Sequence, residues 1–421
     1  MNETLRIKAR QAGLSLLDYL LMRMDQLEEE SGVKRTIFAA CPNSTAVLRA
    51  SLVSAKRCNA PIKFAATLNQ VDTDGGYTGF TAEQFVKTIR DEARRINYTG
   101  PVIVAIDHGG PWLKDKHRLD NLSYDETMAA VKNSFERAID AGYDMIHVDP
   151  TIDITLPEGE TIDIRVVAAK TVELISHCEN YRKNKGLDKL AYEVGTEEVH
   201  GGLADMSVFT QFLELLKTGL EMEGLNDIWP CFVVGKVGTD LHTTLFDPQV
   251  ARQLTAAARP YGSRIKGHYS DSVDNPEEYP LSGMGAANIG PEFTEREYDG
   301  LMELVELEEN LYAEGKVAKL SGMKERLWEA VIDSNRWVKW ISGSESASDF
   351  YSIAEDRQEW LIKTGCRYIW ENTEVIAARQ KLFHNLDAWG IQSEEIVLSG
   401  INRAMDRYFH SFNLVNLTQQ L

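Results

Sequence analysis

Four hundred and twenty-one residues exceed what one compact core usually needs, which points to a large barrel or sheet with an appended domain, or to two domains. With 43% hydrophobic and 26% charged residues and 12 prolines, the composition is globular and a disordered chain is excluded. The 45 basic and 64 acidic side chains sum to −19, a field that repels phosphate backbones and anionic bilayers, so neither nucleic acid nor a membrane surface is an expected partner.

Residues 1–30 are amphipathic, end in an acidic stretch and carry no small-residue cleavage signature, so they predict an N-terminal helix and not a signal peptide. No apolar run approaches the roughly 20 residues needed to cross a bilayer. The five cysteines, Cys41, Cys58, Cys178, Cys231 and Cys366, are scattered and odd in number; they offer no disulfide framework or CxxC knuckle, and a reducing cytoplasm is the expected location.

From residue 31 the chain alternates short β-branched runs with amphipathic helical stretches. The runs fall at 36–42, 61–70, 101–109, 145–151, 190–200, 229–238, 264–271 and 285–293, with helical patterns such as AEQFVKTIRDEARRI between them. Strand and helix in strict alternation imply parallel strands joined by right-handed crossovers, and eight units over some 250 residues predict a (β/α)8 TIM barrel at 31–295. The last connection, SVDNPEEYPLSGM, has room for only a short helix. Residues 296–421 show no strand signal and predict a C-terminal helical region, rich in Trp and acidic side chains, that caps the barrel or forms an oligomer contact.

In a barrel of this kind the chemistry gathers where strands end, and polar residues do gather there. The second run ends in Asn69, Gln70 and Asp72, and the third in Asp107-His108-Gly109-Gly110. The fourth carries His147 and Asp149, and the fifth Glu193, Glu197, Glu198 and His200. Lys236 lies in the sixth run, and His268, Ser270 and Asp271 end the seventh. His108, His200 and His268 come from alternate strands facing a common centre, a ligand set suited to a catalytic divalent metal with a position left for substrate oxygens. The expected ion is Zn, with Mn, Ni or Co as alternatives. His147, earlier in its strand, reads as a histidine satisfied by a neighbour.

Asp107 reads as a base beside the metal, or as a hydrogen-bond partner of a ligand imidazole. Glu193 and Glu197 are further candidates for proton transfer or ligation. Asn69, Gln70, Asp149, Lys236, Ser270, Asp271 and Asn288 are candidate substrate contacts. Lys236 also raises an imine mechanism, which a metal would make unnecessary. The Gly75-Gly76-Tyr77-Thr78-Gly79 loop lacks the GK[ST] ending of a nucleotide P-loop, so it gives a kinase no support. The stretch Gly283 to Gly290, leading into the eighth run, lies where such barrels bind phosphate through backbone N–H groups.

Taken together, Asn69-Gln-Val-Asp-Thr-Asp-Gly-Gly-Tyr-Thr-Gly79, Asp107-His-Gly-Gly-Pro111, Ile146-His-Val-Asp149, Val194-Gly-Thr-Glu197 with Gly201-Gly202, and Gly267-His268 with Asp271 resemble the GatZ/KbaZ-type family of tagatose-bisphosphate aldolase accessory subunits. The strands also resemble, more distantly, the zinc-dependent class II aldolases. The resemblance implies Asp107 as the proton-transfer residue, His108, His200 and His268 as metal ligands and Asn288 as a substrate contact. It further implies a ketose phosphate substrate and interconversion of D-tagatose 6-phosphate and D-fructose 6-phosphate at C4. The rivals it leaves open are a non-catalytic subunit that stabilises a class II aldolase and a stand-alone class II aldolase. A homo-oligomer, or a hetero-complex with an aldolase subunit, is the expected assembly. The acidic balance is compatible with a sugar phosphate if a metal and backbone N–H groups supply the local positive field.

Overall fold

Eight short strands form the centre of the molecule: β1 (Ile37–Ala40), β2 (Ile62–Thr67), β3 (Val102–Gly109), β4 (Met145–Val148), β5 (Ala191–Val194), β6 (Phe232–Val234), β7 (Arg264–Gly267) and β8 (Ala286–Ile289). In this computed structural model, which describes residues 1–157, 160–195, 205–239 and 244–421, they pair in parallel in chain order. β8 returns to β1 through Ile37↔Ala286 to Ala40↔Ile289, so the sheet closes as a (β/α)8 TIM barrel. Each strand falls inside a β-branched run of the sequence, and runs such as Val102-Ile103-Val104-Ala105 are buried on both faces, as parallel strands under helices must be.

The crossover helices begin where the sequence caps them. Thr81 with Gln84 and Ser123 with Glu126 form complete capping boxes, each pairing two otherwise orphaned N–H groups at a helix start. The last crossover carries only the four-residue helix Glu278–Leu281, as its short sequence requires.

The N-terminal segment folds as two helices, Glu3–Ala12 and Leu16–Ser31, broken at Gly13 (φ 68°). They cover the amino end of the barrel: the Asn2 side chain accepts from the Val102 N–H at the start of β3 (3.0 Å), and Arg264 at the start of β7 pairs with Asp25. The opposite, carboxyl end is the one left for chemistry.

Beyond β8 the chain is helical, with Pro291–Ala313, Met323–Asp333, Glu355–Gly365, Thr373–Asp387 and Ser393–Ser411 as its main helices. These share the barrel's core. Phe38 of β1 packs against Phe293, Tyr408 and Phe409 from two of them, at centroid distances of 5.0 to 5.9 Å. Among the described residues no helix is long and apolar enough to cross a membrane.

Candidate active site

The barrel interior is charged where such barrels are usually filled by branched apolar side chains. Lys266 of β7 stands between Asp107 of β3 and Glu193 of β5, donating to an oxygen of each; all three come from the odd-numbered strands. Lys63 of β2 lies 3.4 Å from the other Glu193 oxygen, and the four side chains are at most 5% exposed. Burial works against every one of these charges. For Asp107 and Glu193 the nearby Lys266 ammonium outweighs it and holds both carboxyls well below their ordinary range. For Lys266 the two carboxylates outweigh it and hold the amine above its ordinary value. Lys63, deeper and beside another cation, is lowered by burial and then by Lys266.

Asp107 is at the point where β3 departs from its ladder. The β3–β4 register shifts between Ile106 and Gly109, and His108 adopts a left-handed backbone (φ 49°) that turns its ring toward the mouth. Gly110 makes this possible: a Cβ there would lie 1.9 Å from the Asp149 carbonyl oxygen, so β3 and β4 could not approach. The second oxygen of Asp107 accepts from the Asn288 amide of β8 at 2.9 Å, which leaves the Asn288 Oδ1 buried and without a donor among the described residues.

Three imidazoles sit above this layer. The His108 Nδ1 is 2.6 Å from Asp149, whose other oxygen accepts from Thr151, so the carboxylate fixes the His108 ring and aims its Nε2 across the mouth. That Nε2 faces the His268 Nδ1 at 3.2 Å. Two donors around a tetrahedral ion with bonds of ~2.0–2.1 Å stand about 3.3 Å apart, so the pair has the spacing of metal ligands. Burial, followed by the Lys266 charge, pushes His268 down to about 3, which keeps it neutral, and its Nε2, 3.6 Å from Glu193, is buried without a hydrogen-bond partner among the described residues. The residues therefore fit a divalent ion.

His147 belongs to the same cluster, yet its Nδ1 accepts the backbone N–H of His108 at 3.0 Å. The same Nδ1 lies 3.3 Å from an Asp107 oxygen and 3.2 Å from Glu193, so that nitrogen is engaged within the floor, while the His147 Nε2 is buried and without a hydrogen-bond partner among the described residues. The expected ligand His200 and the candidate base Glu197 lie outside the described residues.

A cavity of about 240 Å³ opens over these groups, lined at its base by Asp107, His108, His268 and Asn288. Its walls include Asn69, Gln70 and Asp271, but the amides of the first two are committed to loop structure. Asn69 joins the Leu113 carbonyl and the Asp115 N–H; Gln70 joins Thr67, Pro42 and Asn43. The GGYTG loop is a clamp of the same kind. Gly76 (φ 53°) permits an approach in which a Cβ would meet the Gln70 carbonyl at 2.3 Å, and Tyr77 reaches Asn43 and packs on Tyr368.

Of the expected phosphate cradle, Gly283 and Gly285 precede β8 at the amino end of the barrel and do not line the cavity, and the N–H of Gly290, just past β8, is taken together with that of Glu292 by Asp271, each at 2.9 Å. Ser270 is fully buried and accepts from Tyr279. Lys236 is half-buried two residues past β6, and neither it nor Ser270 is among the described residues lining the cavity.

Two parts of this site are not among the residues that the sequence singles out. Lys63 and Lys266 are the buried lysines of the interior, and their only signal was a lysine flanked by apolar neighbours inside a strand, as in PIKFAAT and RIKGH. The C-terminal region supplies the cavity's roof, with Arg336, Lys339, Trp340, Arg367 and Tyr368. Basic and aromatic residues standing side by side in that tail were the available signal.

A family model described as "D-tagatose-1,6-bisphosphate aldolase subunit GatZ/KbaZ-like" matches residues 22–410. Among solved structures, a probable tagatose 6-phosphate kinase from Sinorhizobium meliloti is similar with a TM-score of 0.75 and 21% identity, over 90% of this chain and 100% of that one. A fructose-bisphosphate aldolase from Campylobacter jejuni is similar with a TM-score of 0.54 and 13% identity, over 95% of both chains. At these identities the two structures bear on the fold.

Proposed function

This chain belongs to the GatZ/KbaZ-like family of D-tagatose-1,6-bisphosphate aldolase subunits, and from that membership we propose that it is a metal-dependent sugar-phosphate enzyme that interconverts D-tagatose 6-phosphate and D-fructose 6-phosphate. The observation that carries the reading is one cavity in which an ionised carboxylate, two imidazoles at ligand spacing and an unpaired amide oxygen meet at the carboxyl end of the barrel. His108 and His268 would hold the ion together with His200, which the sequence places at the end of the fifth strand. Such an ion supplies positive charge against the negative charge that develops on the substrate's C2 oxygen.

The chain's own residues do the rest. Asp107, kept ionised by Lys266, accepts the proton of the C4 hydroxyl as the C3–C4 bond breaks and the electron pair moves toward the C2 carbonyl. The resulting aldehyde turns, and re-addition on its other face returns the proton and gives the 4-epimer. Asn288 Oδ1 receives a substrate hydroxyl, and Asp149 keeps His108 oriented. Glu193 with Lys266 fixes the charge state of Asp107. An imine on Lys266 is disfavoured, because a nucleophilic amine needs a depressed pKa and this one is raised. A kinase reading lacks a P-loop in the GGYTG segment.

The test incubates the purified protein with fructose 6-phosphate and Zn, Mn or Ni, with and without chelator, and follows products by NMR. Tagatose 6-phosphate that disappears with chelator is expected. No turnover, with tight binding to a separate aldolase subunit, would establish the accessory reading that the family description favours; release of triose phosphates would establish an aldolase.

A further inference from the structure

Three buried donors on the roof of the cavity meet no acceptor among the described residues. Arg367 is 7% exposed; its Nε donates to the Thr364 carbonyl at 2.8 Å, while its Nη2 is buried without a partner among the described residues. Two more buried donors on the same roof are orphaned: the Arg336 Nε and the Trp340 Nε1. Buried N–H groups left unpaired are costly, more so when charged, so three of them around one cavity are informative.

These donors are held in place. The Arg367 guanidinium lies 5.1 Å from the Trp340 ring centre, and that of Arg336 lies 4.4 Å from the ring of Tyr368. Asp115 pairs with Arg336 and with Lys339 (2.6 Å), tying the roof to the loop after β3 and leaving the Arg336 Nε free to point elsewhere. Two fixed guanidiniums and an indole N–H suit a tetrahedral oxyanion, which takes several donors at once.

We propose that Arg367, Arg336 and Trp340 form the subsite for the phosphate monoester of the substrate, so that the C-terminal helical region, and not the barrel loops, binds the end of the sugar remote from the breaking bond. The proposal rests on the sugar-phosphate reading of the cavity, and it fits with the N–H groups of Gly290 and Glu292, just past β8, being taken by Asp271.

Calorimetry on the full chain with three probes, inorganic phosphate, fructose 6-phosphate and fructose, separates this inference from the catalytic one. Fructose 6-phosphate is expected to bind far more tightly than fructose, and inorganic phosphate to compete with it. Arg367→Ala should weaken both phosphate probes at least tenfold and leave fructose unchanged, while His268→Ala should leave inorganic phosphate binding intact. If turnover is found, Arg367→Ala should raise KM with kcat less affected. Unchanged phosphate affinity in Arg367→Ala, or inorganic phosphate that does not compete with fructose 6-phosphate, overturns the subsite even where turnover stands. Conversely, Arg367-dependent phosphate binding without turnover upholds the subsite and sinks the epimerase. Should Arg367→Ala fail to fold, Trp340→Phe, which removes the N–H and keeps an aromatic ring beside Arg367, reads the same loss.

Discussion

The floor and the roof of the cavity treat buried charge in opposite ways. On the floor, Lys266, Asp107, Glu193 and Lys63 bring two cations and two carboxylates together, and both carboxylates are engaged by Lys266. On the roof, the guanidiniums of Arg336 and Arg367 retain nitrogens that meet no acceptor among the described residues. A satisfied network is finished when the chain folds and holds catalytic atoms in position, whereas an unsatisfied one is completed by what binds. The difference separates the ion-pair network that is complete on folding from the atoms left for a ligand, which are these roof nitrogens and, above the ion pairs, the Asn288 Oδ1 and the Nε2 atoms of His147 and His268.

The strongest way to break this comparison is to remove the ammonium on which the floor depends. Lys266→Met leaves Asp107 and Glu193 buried without their main counter-charge, and a broken buried ion pair costs about 3–5 kcal/mol. Denaturant unfolding should show that loss, and adding Glu193→Gln to the variant should recover part of it. A Lys266→Met protein as stable as the parent would mean that the carboxylates take up protons without penalty and that the floor is not a balanced unit.

Much of this arrangement was legible in the sequence. Eight β-branched runs located all eight strands, because parallel strands buried on both faces need continuous apolar stretches. Asp107, His108, Asp149 and His268 are strand-end polar residues that the structure brings together, but strand-end position alone did not separate them from Asn69, Gln70 and Ser270, which serve loop structure and packing. Lys63 and Lys266 were not legible, since a lysine inside a strand is usually an outward-facing residue, and only closure of the barrel decides which face is the interior. The roof was hidden for a different reason. Arg336 and Arg367 stand more than two hundred residues along the chain from Asp107, and only helix packing brings them over it.

A smaller effect sharpens the boundary between floor and ligand. Asp149→Asn keeps the shape beside His108 but removes the carboxylate that orients it, and such outer partners are worth 10–100-fold in metal affinity. Zinc titration of the apo-protein should show that weakening. His147→Gln should retain most metal, because its Nδ1 already accepts the His108 N–H, while His200→Gln should lose most of it. The reverse result for that pair would make His147 the third ligand and require its ring to release the backbone N–H.

The least perturbing test lies where floor and roof meet. Burial first, with help from Glu292, pushes Asp271 from its ordinary 3.8 up to about 7, against two backbone N–H groups and the charge of Arg367. A carboxyl raised in the folded state contributes stability that is fully present below pH 3.8 and lost as pH rises to about 7. Asp271→Asn stays neutral throughout and can still accept from Gly290 and Glu292, so its Tm should gain on the parent by a few degrees between pH 5 and pH 8. If the variant is instead less stable at pH 8 than at pH 5 relative to the parent, Asp271 is the ionised counter-charge of Arg367. The roof would then be a satisfied layer like the floor, and its claim to an external anion would fall.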